Sequence, residues 1–171
     1  MEKGYIQVYT GNGKGKTTAA LGLSLRAICS GKKVFFGQFV KGMKYSELDT
    51  GKYLPNFHME QFGTNSFIIE KPTKADKKAA SEGLDKIEKI LASGEYDIVV
   101  LDEINIAIFY ELFTPEEVIE IIDRRHPKVE VILTGRYACE KIIEKADLVT
   151  EMKEIKHYYS KGVQARIGIE N

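Results

Sequence analysis

The sequence predicts a three-layer α/β fold, a mostly parallel sheet flanked by helices, on three observations. Short β-branched and aromatic runs alternate with helix-length amphipathic segments along the chain, the pattern of βαβ units. The run Tyr5-Ile-Gln-Val-Tyr-Thr10 leads into Gly11-Asn-Gly-Lys-Gly-Lys-Thr-Thr18 and then into a good helix former, which reads as strand, phosphate-binding loop and helix. A second apolar run, Tyr96-Asp-Ile-Val-Val-Leu101, ends in Asp102-Glu103, placing carboxylates at the C-terminal edge of a strand, where open α/β sheets bind ligands.

The glycine-rich stretch organises the rest. Gly11, Gly13 and Gly15 allow positive-φ and close-approach backbone, so that successive N–H groups point at one anion, and the helix starting near Lys16 adds its positive dipole end. Lys16 supplies a point charge for phosphate oxygens and Thr17 a hydroxyl for Mg²⁺. The stretch departs from G-x-x-x-x-G-K-[ST] at one position: five residues before Gly15 stands Thr10 instead of glycine, so the first turn must be built differently. A glycine-rich turn with surface lysines does not explain why Lys14, Lys16 and three glycines meet at a strand-to-helix junction.

The following elements read in order. Residues 17–30 carry Leu21, Leu25 and Ile28 at helical spacing and stop at Gly31. Val34-Phe-Phe-Gly-Gln-Phe-Val40 is continuously apolar, as buried parallel strands are, and leaves Gln38, Phe39, Lys41 and Gly42 at its mouth. Residues 42–57, broken by Gly51 and Pro55, read as an irregular loop, followed by a short strand at His58–Phe62 and a second apolar loop over 63–69. Thr73 with Asp76 is a helix N-cap, and Ala80, Leu84, Ile87 and Leu91 are the inward stripe of a helix reaching about Ser93. The Glu82/Lys86 and Asp85/Lys89 pairs belong to its solvated face. Thr114-Pro-Glu-Glu117 starts another helix, with Val118, Ile121 and Ile122 buried and Pro127 beyond its end. Val129–Leu133 is a strand that emits Thr134-Gly-Arg136 at the same sheet edge as the phosphate loop, where an arginine can stabilise a polyphosphate. A short helix near Glu140–Ala146, a strand at Leu148–Met152 and a terminal hairpin follow, the last with Ile155, His157 and Tyr159 on one side, a turn at Lys161-Gly162 and a return over 163–169.

An acid at the end of an apolar strand beside a phosphate loop holds Mg²⁺ directly or through water. Asp102 has that place; Glu103 can ligate the metal, activate a water, or cap the next turn. With 171 residues and 43% hydrophobic composition, residues 1–171 read as one domain. Its 25 basic and 25 acidic side chains cancel, which points to small-molecule partners and away from nucleic acid or a membrane surface. Cys29 and Cys139 form no C-x-x-C pair and read as reduced, buried thiols of a cytoplasmic chain with no signal-like start. His58, His126 and His157 share no ligand spacing with the cysteines, so a zinc site is not expected.

The ordered set Tyr9–Thr18, Gln38-Phe-Val-Lys-Gly42, Val99-Val-Leu-Asp-Glu103, Thr134-Gly-Arg136, Ala146-Asp-Leu-Val149, Lys156-His157 and Gly168-Ile-Glu170 resembles the ATP:corrinoid adenosyltransferases of the P-loop type, the cob(I)alamin or cob(I)yrinic acid a,c-diamide adenosyltransferases of the vitamin B12 pathway. The resemblance spans nearly the whole chain and includes the Thr10 departure. It implies a RecA-like P-loop NTPase fold, commonly homodimeric, that uses ATP, a reduced corrinoid and Mg²⁺ or Mn²⁺, with an electron-donating flavoprotein as partner. By resemblance, Lys16, Arg136 and Glu103 are catalytic; Thr10, Gly11, Asn12, Gly13, Lys14, Gly15, Lys16, Thr17, Thr18, Gln38, Lys41 and Phe67 bind the substrates; and Thr17, Asp102 and Glu103 hold the metal. The corrin ring is expected against the loops bearing Met43, Tyr45, Leu54, Phe57, Phe67 and Ile69, although these also read as apolar cover. Ser66 and Ile69 stand where the family tends to carry glycine and tryptophan, and Ser46-Glu47 replaces a frequent Gly-Glu. A RecA-like ATPase or switch and a small-molecule kinase are the alternatives; both make ADP, whereas adenosyl transfer makes triphosphate.

Overall fold

In a computed structural model that describes residues 2–40, 46–63 and 71–170, six strands form one parallel sheet in the order β3-β2-β4-β5-β1-β6. They are β1 (Ile6–Thr10), β2 (Val34–Phe39), β3 (Phe57–Phe62), β4 (Ile98–Asp102), β5 (Glu130–Thr134) and β6 (Leu148–Glu151). Every pairing is parallel, so all six C-terminal ends lie at one edge.

Strand periodicity sorts the core into two layers. Val34, Phe36, Ile98, Val100 and Ile132 pack on helix α1 (Lys16–Cys29). Phe35, Val99, Leu101, Val131 and Leu133 face the other way, onto α2 (Lys74–Ser93), α3 (Ile104–Phe109), α4 (Pro115–Asp123) and α5 (Glu140–Lys145). Burial on both faces explains why these strands are continuously apolar. Helices α2 and α4 start where the sequence places them, because Thr73 with Asp76 and Thr114 with Glu117 each close a reciprocal capping box.

The structure departs from expectation in five places. In α1 the buried residues include Ala20, Ser24 and Ala27, while Leu25 is 49% exposed. Small side chains let that helix lie close to the sheet, and the larger apolar residues flank the contact. Phe39 is fully buried against Phe62 and Phe113, inside the core and not at the mouth. Within 42–57, Ser46–Lys52 form a 3₁₀ helix. Cys29 is exposed and Cys139 half-buried; both are free thiols, but neither is a core residue. The terminal hairpin does not form: Tyr158–Lys161 is a 3₁₀ turn closed by Gly162 at φ 84°, and the N–H groups of Ile169 and Glu170 donate to the Arg166 carbonyl. Ile155, Tyr159 and Ile167 are exposed, so their alternation has no sheet face to cover. Met43, Tyr45, Lys41, Phe67 and Ile69 lie outside the described residues. Among the described residues no helix is long and apolar enough to cross a membrane.

Candidate active site

The helix that follows the glycine-rich loop starts differently from α2 and α4. Where α2 and α4 satisfy their first N–H groups with side chains, α1 begins after Gly15 with no side-chain cap and no acid in its first turn. Its leading amides are therefore left for an external anion. Gly15 sits at φ 121°, a conformation a side chain would strain. Gly13 donates its N–H to the Met152 carbonyl at 2.7 Å, and a Cβ at Gly13 would lie 2.7 Å from that same oxygen. Here glycine is needed because two backbones touch.

Lys16 is 7% exposed and its ammonium donates to the carbonyls of Gly11 and Gly13, each at 2.8 Å. Burial lowers its pKa, assisted by Arg136 and opposed by Glu103 and Asp102. The ammonium is thus held inside the loop by neutral acceptors that a phosphate oxygen can outcompete.

Asp102 is fully buried and gathers four elements. Its Oδ1 accepts from Thr17 Oγ1 at 2.9 Å and from Thr134 Oγ1 at 2.6 Å, and its Oδ2 accepts from Gln38 Nε2 at 3.1 Å. Gln38 also donates to Glu47 and accepts from Gln61, so it supports the acid from behind and does not line the cleft. Thr134 uses its hydroxyl twice, donating to Asp102 and accepting from the Glu103 N–H at 3.0 Å. That second bond holds Glu103 in the left-handed region, φ 59°, at the head of α3, where its side chain lines the cleft and makes no cap bond. Thr10 has its hydroxyl turned to the Ala138 N–H at 3.3 Å, tying the strand end to the segment after Arg136.

These groups bound a cleft of about 560 Å³, within the roughly 300–1,000 Å³ usual for small-molecule sites. It is lined by the loop from Gly13 to Thr18, by Glu47, by Glu103 and Arg136 at the sheet edge, and by His157 with Gly168 to Glu170. The structure therefore brings together Lys14, Lys16, Thr17, Thr18, Glu103 and Arg136 on one surface, with Asp102 beneath Thr17. Thr10, Gly11 and Asn12 form the base of the loop outside the lining set. Sequence reasoning did not single out Glu47, Thr134 and Glu170 as site residues. Thr134 was legible in principle, as the hydroxyl ending a strand that emits Gly-Arg; Glu47 and Glu170 stand in stretches compared with the family, but no local pattern gives either a role.

A Mg²⁺ ion suits this donor set. Mg²⁺ is held by one or two carboxylates, hydroxyls and substrate phosphates and not by an all-protein cage. The Thr17 hydroxyl and Asp102 carboxylate adjoin at 2.9 Å.

Comparison with known proteins agrees with this geometry. Residues 2–171 match the family model described as ATP:corrinoid adenosyltransferase BtuR/CobO/CobP. The chain is 37% identical over 170 residues to the corrinoid adenosyltransferase of Escherichia coli K12, covering 99% of this chain and 86% of that protein. It is 37% identical, with the same coverage, to corrinoid adenosyltransferase CobA of Salmonella typhimurium, and 39% identical over 177 residues to the Sinorhizobium enzyme, covering 99% of this chain and 81% of that one. An uncapped helix after a glycine-rich loop, a buried acid under its first hydroxyl and a match running almost from end to end place the chain in the ATP:corrinoid adenosyltransferase family.

Proposed function

We propose that this chain transfers the 5′-deoxyadenosyl group of ATP to the cobalt(I) of a reduced corrinoid, releasing triphosphate, in adenosylcobalamin biosynthesis or salvage. The observation that carries the reading is the meeting of Lys16, Thr17, Asp102 and Arg136 around the uncapped start of α1. Cobalt(I) supplies the electron pair for the new cobalt–carbon bond and is formally oxidised to cobalt(III). The 5′ carbon–oxygen bond breaks, and its electron pair leaves on the triphosphate. The nucleophile carries no proton, so no general base is required. The protein's task is to align the attack, exclude water and stabilise charge on the leaving group.

Lys16, the loop amides and Arg136 meet that charge. Thr17, Asp102 and Glu103 would hold Mg²⁺, which when bound neutralises phosphate charge. Gln38 keeps the Asp102 carboxylate oriented. We assign residues 1–171 to one catalytic domain. The family resemblance supports a homodimer, a cytoplasmic setting and an electron-donating flavoprotein, and it supports substrate contacts by Lys41 and Phe67.

The test is incubation of the chain with ATP, Mg²⁺ and chemically reduced cobalamin. The expected products are a light-sensitive cobalt–carbon bond, followed by absorbance, and one triphosphate per adenosyl group. Diphosphate with unalkylated cobalamin would refute the reading and favour a kinase or ATPase.

A further inference from the structure

Lys14 lies in the phosphate loop, yet its ammonium is directed at the far end of the chain. It donates to Glu170 Oε1 at 2.7 Å, to the Tyr158 hydroxyl at 3.1 Å and to the Ile169 carbonyl at 3.1 Å. An ammonium has three N–H donors, and these three acceptors occupy them all. Glu170 is a hub in its own right. Its side chain is 16% exposed and also accepts from the Tyr158 hydroxyl, from the Arg166 N–H at 2.9 Å, and from Arg166 Nε and Nη2, each at 3.2 Å. The Tyr158 ring has the Lys14 ammonium 5.8 Å and the Arg166 guanidinium 5.2 Å from its centroid. Arg166, then Lys14, hold the Glu170 carboxyl well below the usual carboxylate range, and Glu170 raises Lys14 in return.

This cluster joins two walls of one cleft. Gly13 to Thr18 form one stretch of its lining, and His157 with Gly168 to Glu170 another. The Gly13 N–H is already fixed to Met152, where the tail departs from β6. The tail therefore grips the loop at two successive residues, Gly13 and Lys14.

We propose that Glu170 is a positioning residue for ATP: by pairing with Lys14, it locks residues 157–170 against the phosphate loop and holds the Gly13 to Gly15 backbone in its anion-receiving arrangement. Lys14 then anchors the tail, and the charge facing phosphate comes from Lys16 and Arg136. The inference rests on the ATP-using reading of this cleft. The opposite arrangement, in which Glu170 masks a phosphate-binding Lys14, predicts a change of opposite sign when the carboxylate is neutralised.

The experiment measures Mg²⁺·ATP binding by calorimetry without corrinoid, then steady-state turnover, for Glu170→Gln, Glu170→Asp and Tyr158→Phe. Glu170→Gln should weaken ATP binding by up to roughly fivefold, the upper end for losing a partly exposed ion pair. It should raise KM for ATP in step and leave kcat and the corrinoid KM within about twofold, because the reacting atoms are not touched. Glu170→Asp should recover part of the loss, and Tyr158→Phe, which keeps the ring between its two cations, should show a smaller loss of the same sign. Tighter or unchanged ATP binding in Glu170→Gln, or a fall in kcat at constant KM, overturns the proposal. Because affinity is read without turnover, a wild-type chain that yields diphosphate would defeat the adenosyl-transfer reading and leave this comparison standing.

Discussion

Asp102→Asn is the substitution whose consequence follows most directly from the structure. The carboxylate accepts from Thr17 and Thr134 on one oxygen and from Gln38 on the other, with no exposure to water. Asparagine keeps the shape and can keep its oxygen toward the two threonines. Its NH₂ then faces the Gln38 NH₂ where a 3.1 Å hydrogen bond had been. Flipping the Gln38 amide relieves that clash but presents a donor to Gln61 Nε2, which now donates to Gln38 Oε1. The fault moves along the chain of amides without disappearing. Losing one hydrogen bond to a buried charged acceptor costs about 1.5–3 kcal/mol. For a chain of this length, where 1 kcal/mol moves Tm by roughly 2–4 °C, the melting temperature should fall by about 3–12 °C.

The same change removes the anionic donor beside Thr17, so half-saturation by Mg²⁺ in the adenosylation assay should rise by about 10- to 100-fold. The assays are a thermal melt and a Mg²⁺ titration of adenosylcobalamin formation at saturating ATP. An unchanged melt would refute the hydrogen-bond account. A lowered melt with an unaltered Mg²⁺ profile would show that Asp102 serves the fold and not the metal.

Three further substitutions test the site. Lys16→Ala should lower turnover by about 10²-fold or more through lost leaving-group stabilisation, and normal turnover would contradict its role. Glu103→Gln should weaken Mg²⁺ dependence without moving a pH optimum, because the reaction needs no general base; a lost acidic limb in the pH–rate profile would speak against this. Gly13→Ala inserts a methyl 2.7 Å from the Met152 carbonyl and must push the tail from the loop, costing roughly 1–3 kcal/mol in a denaturant titration together with weaker ATP binding. Full affinity in that variant would mean that the loop–tail contact is dispensable.

Features written into short stretches were legible before any fold existed. The boxes at Thr73/Asp76 and Thr114/Glu117 close within one turn, so their residue types suffice to start a helix. The glycine spacing around Lys16 and the apolar run into Asp102 likewise place a lysine and an acid at one predictable sheet edge. Local pattern misled at Leu25, where the small face of α1 meets the sheet, and in the tail, where alternation without a partner strand gave turns instead. Helix α3 escaped notice because its six residues, Ile104–Phe109, are mostly apolar and continue the strand's composition past Glu103.

By itself, the sequence determined the alternation of strands and helices, the glycine-rich loop at the first strand-to-helix junction, and the acid at the end of the apolar strand beside it. The tertiary structure alone decided the strand order β3-β2-β4-β5-β1-β6, that Gln38 and Thr134 orient Asp102 from either side, and that Lys14 meets Glu170 across 156 residues of chain. The physical reason is range. A cap or a glycine turn is decided by residues within a few bonds of one another, whereas a hydrogen bond between strand ends, or between loop and tail, exists only once burial of both sheet faces has fixed where those ends lie.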